Sequence, residues 1–214
     1  VIIGPEEPLA YGVSDILKNA NITTFAPSKA ASKLESSKLF TKEICDSCQA
    51  PTAGYDYFDN KEKAIEFIKK SKFPIVVKAD GLAAGKGVVI ASEYLKAKEA
   101  ITEMFGGHYG QAGNQVVIEE FMEGEEASLF VLCDGENLIS FGGAQDHKRA
   151  FDGDNGPNTG GMGAYSPTPV LTKEIEKKAI SKIIKPCLSE MRKRGIPYEG
   201  VLYAGLMIKD REPK

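Results

Sequence analysis

The 214-residue chain has no tryptophan, two histidines (His108 and His147) and four cysteines. Cys45, Cys48, Cys133 and Cys187 are too sparse for a secreted disulfide framework. A chain this long buries roughly 70% of its unfolded surface, so it needs no staples to fold. Neither histidine has a partner at metal-ligand spacing. Cys45-x-x-Cys48 falls on a helical pattern without a second Cys/His pair, which favours structural thiols over a redox pair or half a zinc site. There is no Gly-x-Ser-x-Gly elbow for serine hydrolysis. No run approaches the roughly 18 apolar residues of a membrane helix, and no signal-peptide pattern opens the chain. The formal net charge of -3 lacks the basic excess of a nucleic-acid footprint. These absences leave a soluble, cytoplasmic protein as the expectation, with no obligate protein partner evident, and the strand and helix patterns along the chain make its class α/β.

Glycine is the residue in excess, 22 of 214 against a usual 7% or so. Seven fall between Gly142 and Gly163. Glycine lets backbone approach a ligand and adopt positive φ, so the clustering points to a site.

Val1 to Gly4, a helix over 12–21 and a strand at 22–25 read as the tail of a βαβ unit. Helical spacing continues over Ser32 to Cys48 and Lys61 to Ser71. Strands follow at 74–79 and 88–91, then a helix at 93–105 and strands at 115–121 and 127–133. Asp134-Gly135 signals a hairpin, with 137–144 pairing back. Gln145 to Pro167 lacks periodicity and reads as a long loop, of the kind that is usually functional or disordered. Thr172 reads as the N-cap of a helix reaching about Gly195, and 201–208 as a strand whose closing turn has no returning partner. Both ends read as cut, so the expectation is a piece of a longer protein.

Three segments carry candidate chemistry. Val77 to Val88 runs from a strand ending in Lys78 through a small-residue loop with Lys86 into another strand. It fails the Walker A pattern, since Gly87 stands where Ser or Thr is required and a strand follows. It also lacks a dinucleotide Gly-x-Gly-x-x-Gly. A hairpin whose N–H groups close over phosphates and an ordinary surface hairpin both remain. Val116 to Glu126 takes an apolar strand into acids beside Phe121 and Met122, which suits either a nucleoside or a solvated turn. Gln145 to Arg149, then Gly156 to Gly163, set charges before a loop rich in backbone donors, suited to anions or simply a surface loop.

The motif strings, in order, resemble a known family. Gly-Pro-Glu, Ser-Lys-x-Phe-x-Lys, Lys-Ala-Asp-Gly-Leu-Ala-Ala-Gly-Lys-Gly-Val, Glu-Glu-Phe-x-x-Gly-Glu-Glu, Gln-Asp-His-Lys-Arg, Gly-Pro-Asn-Thr-Gly-Gly-Met-Gly-Ala-Tyr and Leu-Tyr-Ala-Gly-Leu-Met are similar to those of the phosphoribosylamine–glycine ligases. These are glycinamide ribonucleotide synthetases of the ATP-grasp superfamily. The resemblance implies ligation of glycine to 5-phosphoribosylamine with ATP and Mg²⁺ (or Mn²⁺), through a glycyl phosphate, in purine biosynthesis. It implies two subdomains clasping ATP: 52–119 as a lid of four strands against two helices, and 28–51 with 120–214 as the larger half. Residues 1–27 would be the remnant of a Rossmann-like domain.

By the same resemblance Lys38 and Lys78 contact phosphates, and Gly81, Gly85, Lys86 and Gly87 form a lid loop. Glu119, Glu120, Phe121 and Met122 form the adenine hinge, Glu126 takes the ribose, and Lys148 positions phosphate. Glu6, Asp146, Pro157, Asn158, Thr159, Gly160, Gly161 and Met162 would face the substrate. The family's metal-binding Glu and Asn are expected beyond Lys214, so no metal ligand falls within the chain and this stretch alone is expected to be inactive. The alternatives are an ATP-grasp ligase for another carboxylate or amine, a nucleotide-holding module without turnover, and a scaffold.

Overall fold

The computed structural model of the chain describes residues 1–83, 87–153, 155–159 and 161–214, without the side chains of 111, 155, 157 and 158. In chain order the elements are α1 (Glu6–Tyr11), α2 (Val13–Asn19), α3 (Lys33–Ser36), α4 (Lys38–Cys48), β1 (Tyr55–Phe58), α5 (Lys61–Ile68), β2 (Ile75–Ala79), β3 (Val88–Ala91) and α6 (Tyr94–Glu103). Then come β4 (Val116–Glu120), β5 (Glu125–Asp134), β6 (Leu138–Asp146), β7 (Arg149–Phe151), β8 (Asn155–Asn158), β9 (Ala164–Tyr165), α7 (Lys173–Ala179), α8 (Lys185–Lys193), β10 (Glu199–Lys209) and β11 (Glu212–Pro213).

The smaller lobe is an antiparallel sheet in the order β1-β4-β2-β3. Its β2 is an Ile-Val-Val run, and Val77 and Val116 are fully buried. Helices α5 and α6 supply Ala64, Ile68, Ala97 and Ile101 to the same core. Asn60 caps α5 by accepting from Lys63 N–H at 2.9 Å, which satisfies one of the orphan donors of a helix start.

The larger lobe is the antiparallel sheet β11-β10-β5-β6-β9. Strand β5 alternates, with Ala127, Leu129, Val131 and Cys133 turned inward, the period-2 signature of a sheet covered on one face. They meet Leu206 and Ile208 of β10, Ile44 of α4, and Ile184 and Met191 from the helix that runs from α7 through a π turn (Ile180–Ile184) into α8. Thr172 caps α7, accepting from Ile175 N–H at 3.3 Å. The β5–β6 hairpin closes at Asp134–Asn137, and Gly135 takes φ +95° there.

Four expectations need correction. The N-terminal βαβ unit reduces to an isolated parallel bridge, Ile2 to Phe25, around two short helices. The helix expected over 12–21 is present as α2, with Gly12 at φ +89° between it and α1, and its Ile16 is 65% exposed. The single helix over 32–48 divides at Ser37, whose backbone is extended (φ -138°, ψ 115°) because its hydroxyl accepts from Phe40 N–H and caps α4. The long loop from 145 holds the end of β6, the β7–β8 pair, and β9 on the sheet edge. The strand at 199–209 does return: Asp210 and Arg211, both at positive φ, turn it back so that Ile208 pairs with Pro213.

Candidate functional site between the lobes

A cleft of about 400 Å³ opens between the lobes, lined by Glu6, Lys38, Lys42, Lys78, Gly81, Gly87, Glu119, Met122 and Gly205 among others. Its centre is the carboxylate of Glu119, only 4% exposed. Lys78, near the end of β2, places Nζ 2.6 Å from Glu119 Oε2. Lys42, on α4 of the larger lobe, reaches Oε1 at 3.2 Å and also donates to Thr52 Oγ1 at 2.8 Å and Ala53 O at 3.0 Å. One carboxylate thus ties the two lobes together. Burial pulls the Lys42 ammonium below its ordinary value, and Glu119 opposes that pull. An unpaired charge here would meet the full desolvation cost.

Lys38 enters from the first residue of α4 and donates to Gly81 O at 3.1 Å. Burial lowers its pKa, Asp80 opposes, and Lys78 adds to the lowering. Asp80 stands where a Walker A loop would carry its first glycine, and the structure gives it a role of its own. Its Oδ1 accepts from Leu39 N–H at 2.7 Å and its Oδ2 from the Ser37 hydroxyl at 3.1 Å. A carboxylate of the smaller lobe therefore sits at the N-terminus of a helix of the larger one, where the helix dipole favours it. Gly81 and Gly87 are fixed by space. A Cβ at Gly81 would lie 2.7 Å from Ala112 Cβ, and at Gly87 2.6 Å from Ala83 Cβ. Gly85 and Lys86 lie outside the described residues.

Beside the cleft, Glu120, Phe121 and Met122 leave β4 and line a second cavity of about 610 Å³ with Met207 and Lys214. Glu120 Oε1 accepts from Gly54 N–H at 3.1 Å, and that hydrogen bond leads the depression of its pKa. Glu126 stands opposite Met207 in the β5–β10 ladder and pairs with Lys148. Lys148 is 4.0 Å from Asp146. Burial works to lower the Lys148 pKa, but hydrogen bonding and charge from Glu126 leave it raised.

In the glycine-rich segment Thr159 N–H and Oγ1 both donate to Lys148 O, at 2.7 and 3.0 Å, and Met162 N–H donates to His147 O at 2.8 Å. Gly161 N–H donates to Thr159 Oγ1 at 3.0 Å, while Met162 is 63% exposed. The backbone of Pro157 and Asn158 forms the end of β8; their side chains, and Gly160, lie outside the described residues.

The structure thus brings Glu6, Lys38, Lys78, Gly81, Gly87, Glu119 and Met122 to one cavity. It places Glu120 and Phe121 next door, and Glu126, Asp146 and Lys148 in a cluster of their own. Sequence reasoning assigned nothing to Lys42, although its i,i+4 spacing from Lys38 puts both on one helix face. It also passed over Glu35, which lines the cleft beside Glu6 and whose carboxyl is pushed up by burial, then by Glu6, against the opposing charge of Lys38.

Two antiparallel lobes facing each other across a lysine-lined cleft make this an ATP-grasp fold. The phosphoribosylglycinamide synthetase ATP-grasp (A) domain matches residues 36–214, and the N domain of the same synthetase matches residues 1–35. The chain belongs to the phosphoribosylglycinamide synthetase family. It is 52% identical over its whole length to the phosphoribosylamine–glycine ligase of Mesorhizobium japonicum, covering 50% of that protein. To the Vibrio vulnificus ligase it is also 52% identical, covering all of the chain and 50% of that protein. The crystal structure of the Thermotoga maritima ligase superposes with a TM-score of 0.86 at 34% identity, over 99% of this chain and 52% of that one. The biotin carboxylase domain of Hydrogenobacter thermophilus 2-oxoglutarate carboxylase, solved with MgADP, shares the fold at a TM-score of 0.71 and 18% identity, over 99% of this chain and 45% of that one. The chain spans about half the length of the curated relatives it matches.

Proposed function

We propose that this chain supplies the nucleotide cleft of an enzyme joining glycine to 5-phosphoribosylamine at the expense of ATP, giving glycinamide ribonucleotide, ADP and phosphate in cytoplasmic purine biosynthesis. The observation that carries this reading is the gathering of Lys38, Lys42 and Lys78 on one cavity, within a chain about half identical to ligases of that name. In this reading residues 52–119 act as the lid, 28–51 and 120–214 as the larger half, and 1–27 as part of a preceding domain.

We assign the roles as follows. Lys38 and Lys78 are the ammonium groups that neutralise phosphate oxygens, and Lys78 exchanges Glu119 for them. Phe121 and Met122 supply the apolar walls for adenine, and Glu126 accepts from ribose hydroxyls. The glycine carboxylate attacks the γ-phosphorus and ADP leaves. The amine of phosphoribosylamine then attacks the carbonyl of glycyl phosphate, and phosphate departs. Asp146, Glu6 and the 157–162 segment face the amine substrate. No covalent enzyme intermediate is required, so positioning and charge neutralisation carry the rate. Among the described residues no group of three or more His, Cys, Asp or Glu is placed to hold a metal. Mg²⁺ enters this reading together with the nucleotide.

Calorimetric titration with MgATP tests the cleft. Lys78→Ala removes a charge-assisted hydrogen bond of about 1.5–3 kcal/mol, so affinity falls roughly ten- to a hundredfold. Equal affinity in the two proteins overturns the assignment. In a protein of the relatives' full length, ADP release must depend on both glycine and phosphoribosylamine. Release that depends on a different carboxylate or amine would retain the fold and reject the substrates.

A further inference from the structure

Three of the four thiols lie where α4 packs on α8. Cys48, the last residue of α4, places Sγ 3.7 Å from Sγ of Cys187 in the first turn of α8. Cys45, one turn earlier on α4, accepts at its carbonyl from the Cys48 thiol at 3.6 Å. Cys45 and Cys187 are buried and Cys48 is half-buried. Cys133, in the middle of the larger lobe's sheet, is 1% exposed, and burial pushes its thiol up to about 11.

We propose that Cys48 and Cys187 form a modification site, a dithiol that low-molecular-weight disulfides convert to an intrachain disulfide. This rests on the position of the sulfurs alone and is independent of the ligase reading. The half-buried Cys48 is the sulfur an external reagent reaches. Its thiolate attacks one sulfur of the small disulfide, forming a mixed disulfide and expelling one thiolate. Cys187 then attacks Cys48 Sγ; its proton goes to the departing second thiolate. Two protein thiols and one small disulfide become one protein disulfide and two small thiols, with the electrons passing to the reagent.

The sulfurs must close from contact to a bond of about 2 Å. Cys48 is the chain's last helical residue before the left-handed Gln49 (φ +57°), so the movement falls at a helix end rather than inside one. The neighbouring Cys187 draws the Cys45 thiol down, against burial and with help from Lys42. The bond would close a loop of more than a hundred residues, the long-loop case in which a cross-link restricts the unfolded chain most.

Oxidised glutathione is the probe. The protein is incubated with it in excess, digested without reduction and mapped by mass spectrometry. The expected product is one peptide pair joining Cys48 to Cys187, lighter than the separate peptides by two hydrogens, with Cys45 and Cys133 still alkylatable. Oxidation should raise Tm by several degrees, reversed by dithiothreitol and absent in Cys48→Ser, whose half-exposed position tolerates the change. Cys133→Ala should cross-link as the parent does. A persistent glutathione adduct on Cys48, a link through Cys45, or four thiols that stay free would each overturn the proposal.

Discussion

The buried ion triad of the cleft and the ion pair at the mouth of the larger lobe use the same side chains to different ends. Lys42, Glu119 and Lys78 interact where the carboxylate is 4% exposed and Lys42 only 7%. Glu126 and Lys148 pair with 44% and 37% of their side chains in water. The first arrangement is costly to desolvate and is held by further hydrogen bonds from Lys42 to Thr52 and Ala53. The second is screened and inexpensive to rearrange. On the proposed function, the cleft that would receive a polyphosphate has its charges fixed, and the rim that would meet a ribose or a substrate has them free to reorient.

The sharpest way to break this contrast is to remove the two carboxylates in parallel. Glu119→Gln leaves Lys42 charged and enclosed, so the fold should lose about 3–5 kcal/mol, a Tm drop on the order of 10 °C. Glu126→Gln should lose less than about 1 kcal/mol. Equal Tm changes in scanning calorimetry would erase the distinction. Next in size is Asp80→Ala, which uncaps α4 and should cost about 1–2 kcal/mol by urea denaturation. A null effect would mean Ser37 alone suffices as the cap.

The smallest effect is in pH dependence. Glu120 has a folded pKa below 4.5 because Gly54 N–H, then Lys214, favour its carboxylate. Its stabilisation is therefore complete above about 4.5 and is lost as pH falls through the depressed value. Glu120→Gln should lower the neutral plateau slightly and flatten the acid limb below about pH 4.5, so that the two stability curves converge at low pH. An unchanged acid limb would contradict the role of the Gly54 contact.

What was legible in the sequence follows from range of interaction. The β5 strand and the Thr172 cap rest on local signals, so the sequence revealed them. The β2–β3 hairpin was equally visible, and the register pairs Lys78 with Val88. Lys42 and Asp80 were in plain view, but their partners lie far along the chain, at Glu119 and at Leu39. No spacing rule reports such contacts. The break at Ser37 was hidden for the same reason, since Asp80 receives its hydroxyl from the other lobe. The β7 to β9 strands were missed because glycine and charge obscure periodicity, while backbone hydrogen bonds such as Thr159 N–H to Lys148 O need no particular side chain.

The Asp80 carboxylate on α4 also bears on modularity. The two lobes have separate cores, which invites the idea that either could be exchanged for a cousin's. Yet the larger lobe borrows the cap of its first long helix, and the counter-ion of Lys42, from the smaller one. A lobe transplanted alone would bring a frayed helix and a stranded ammonium, so evolutionary or engineered swaps at this joint must carry Ser37, Lys42, Asp80 and Glu119 together.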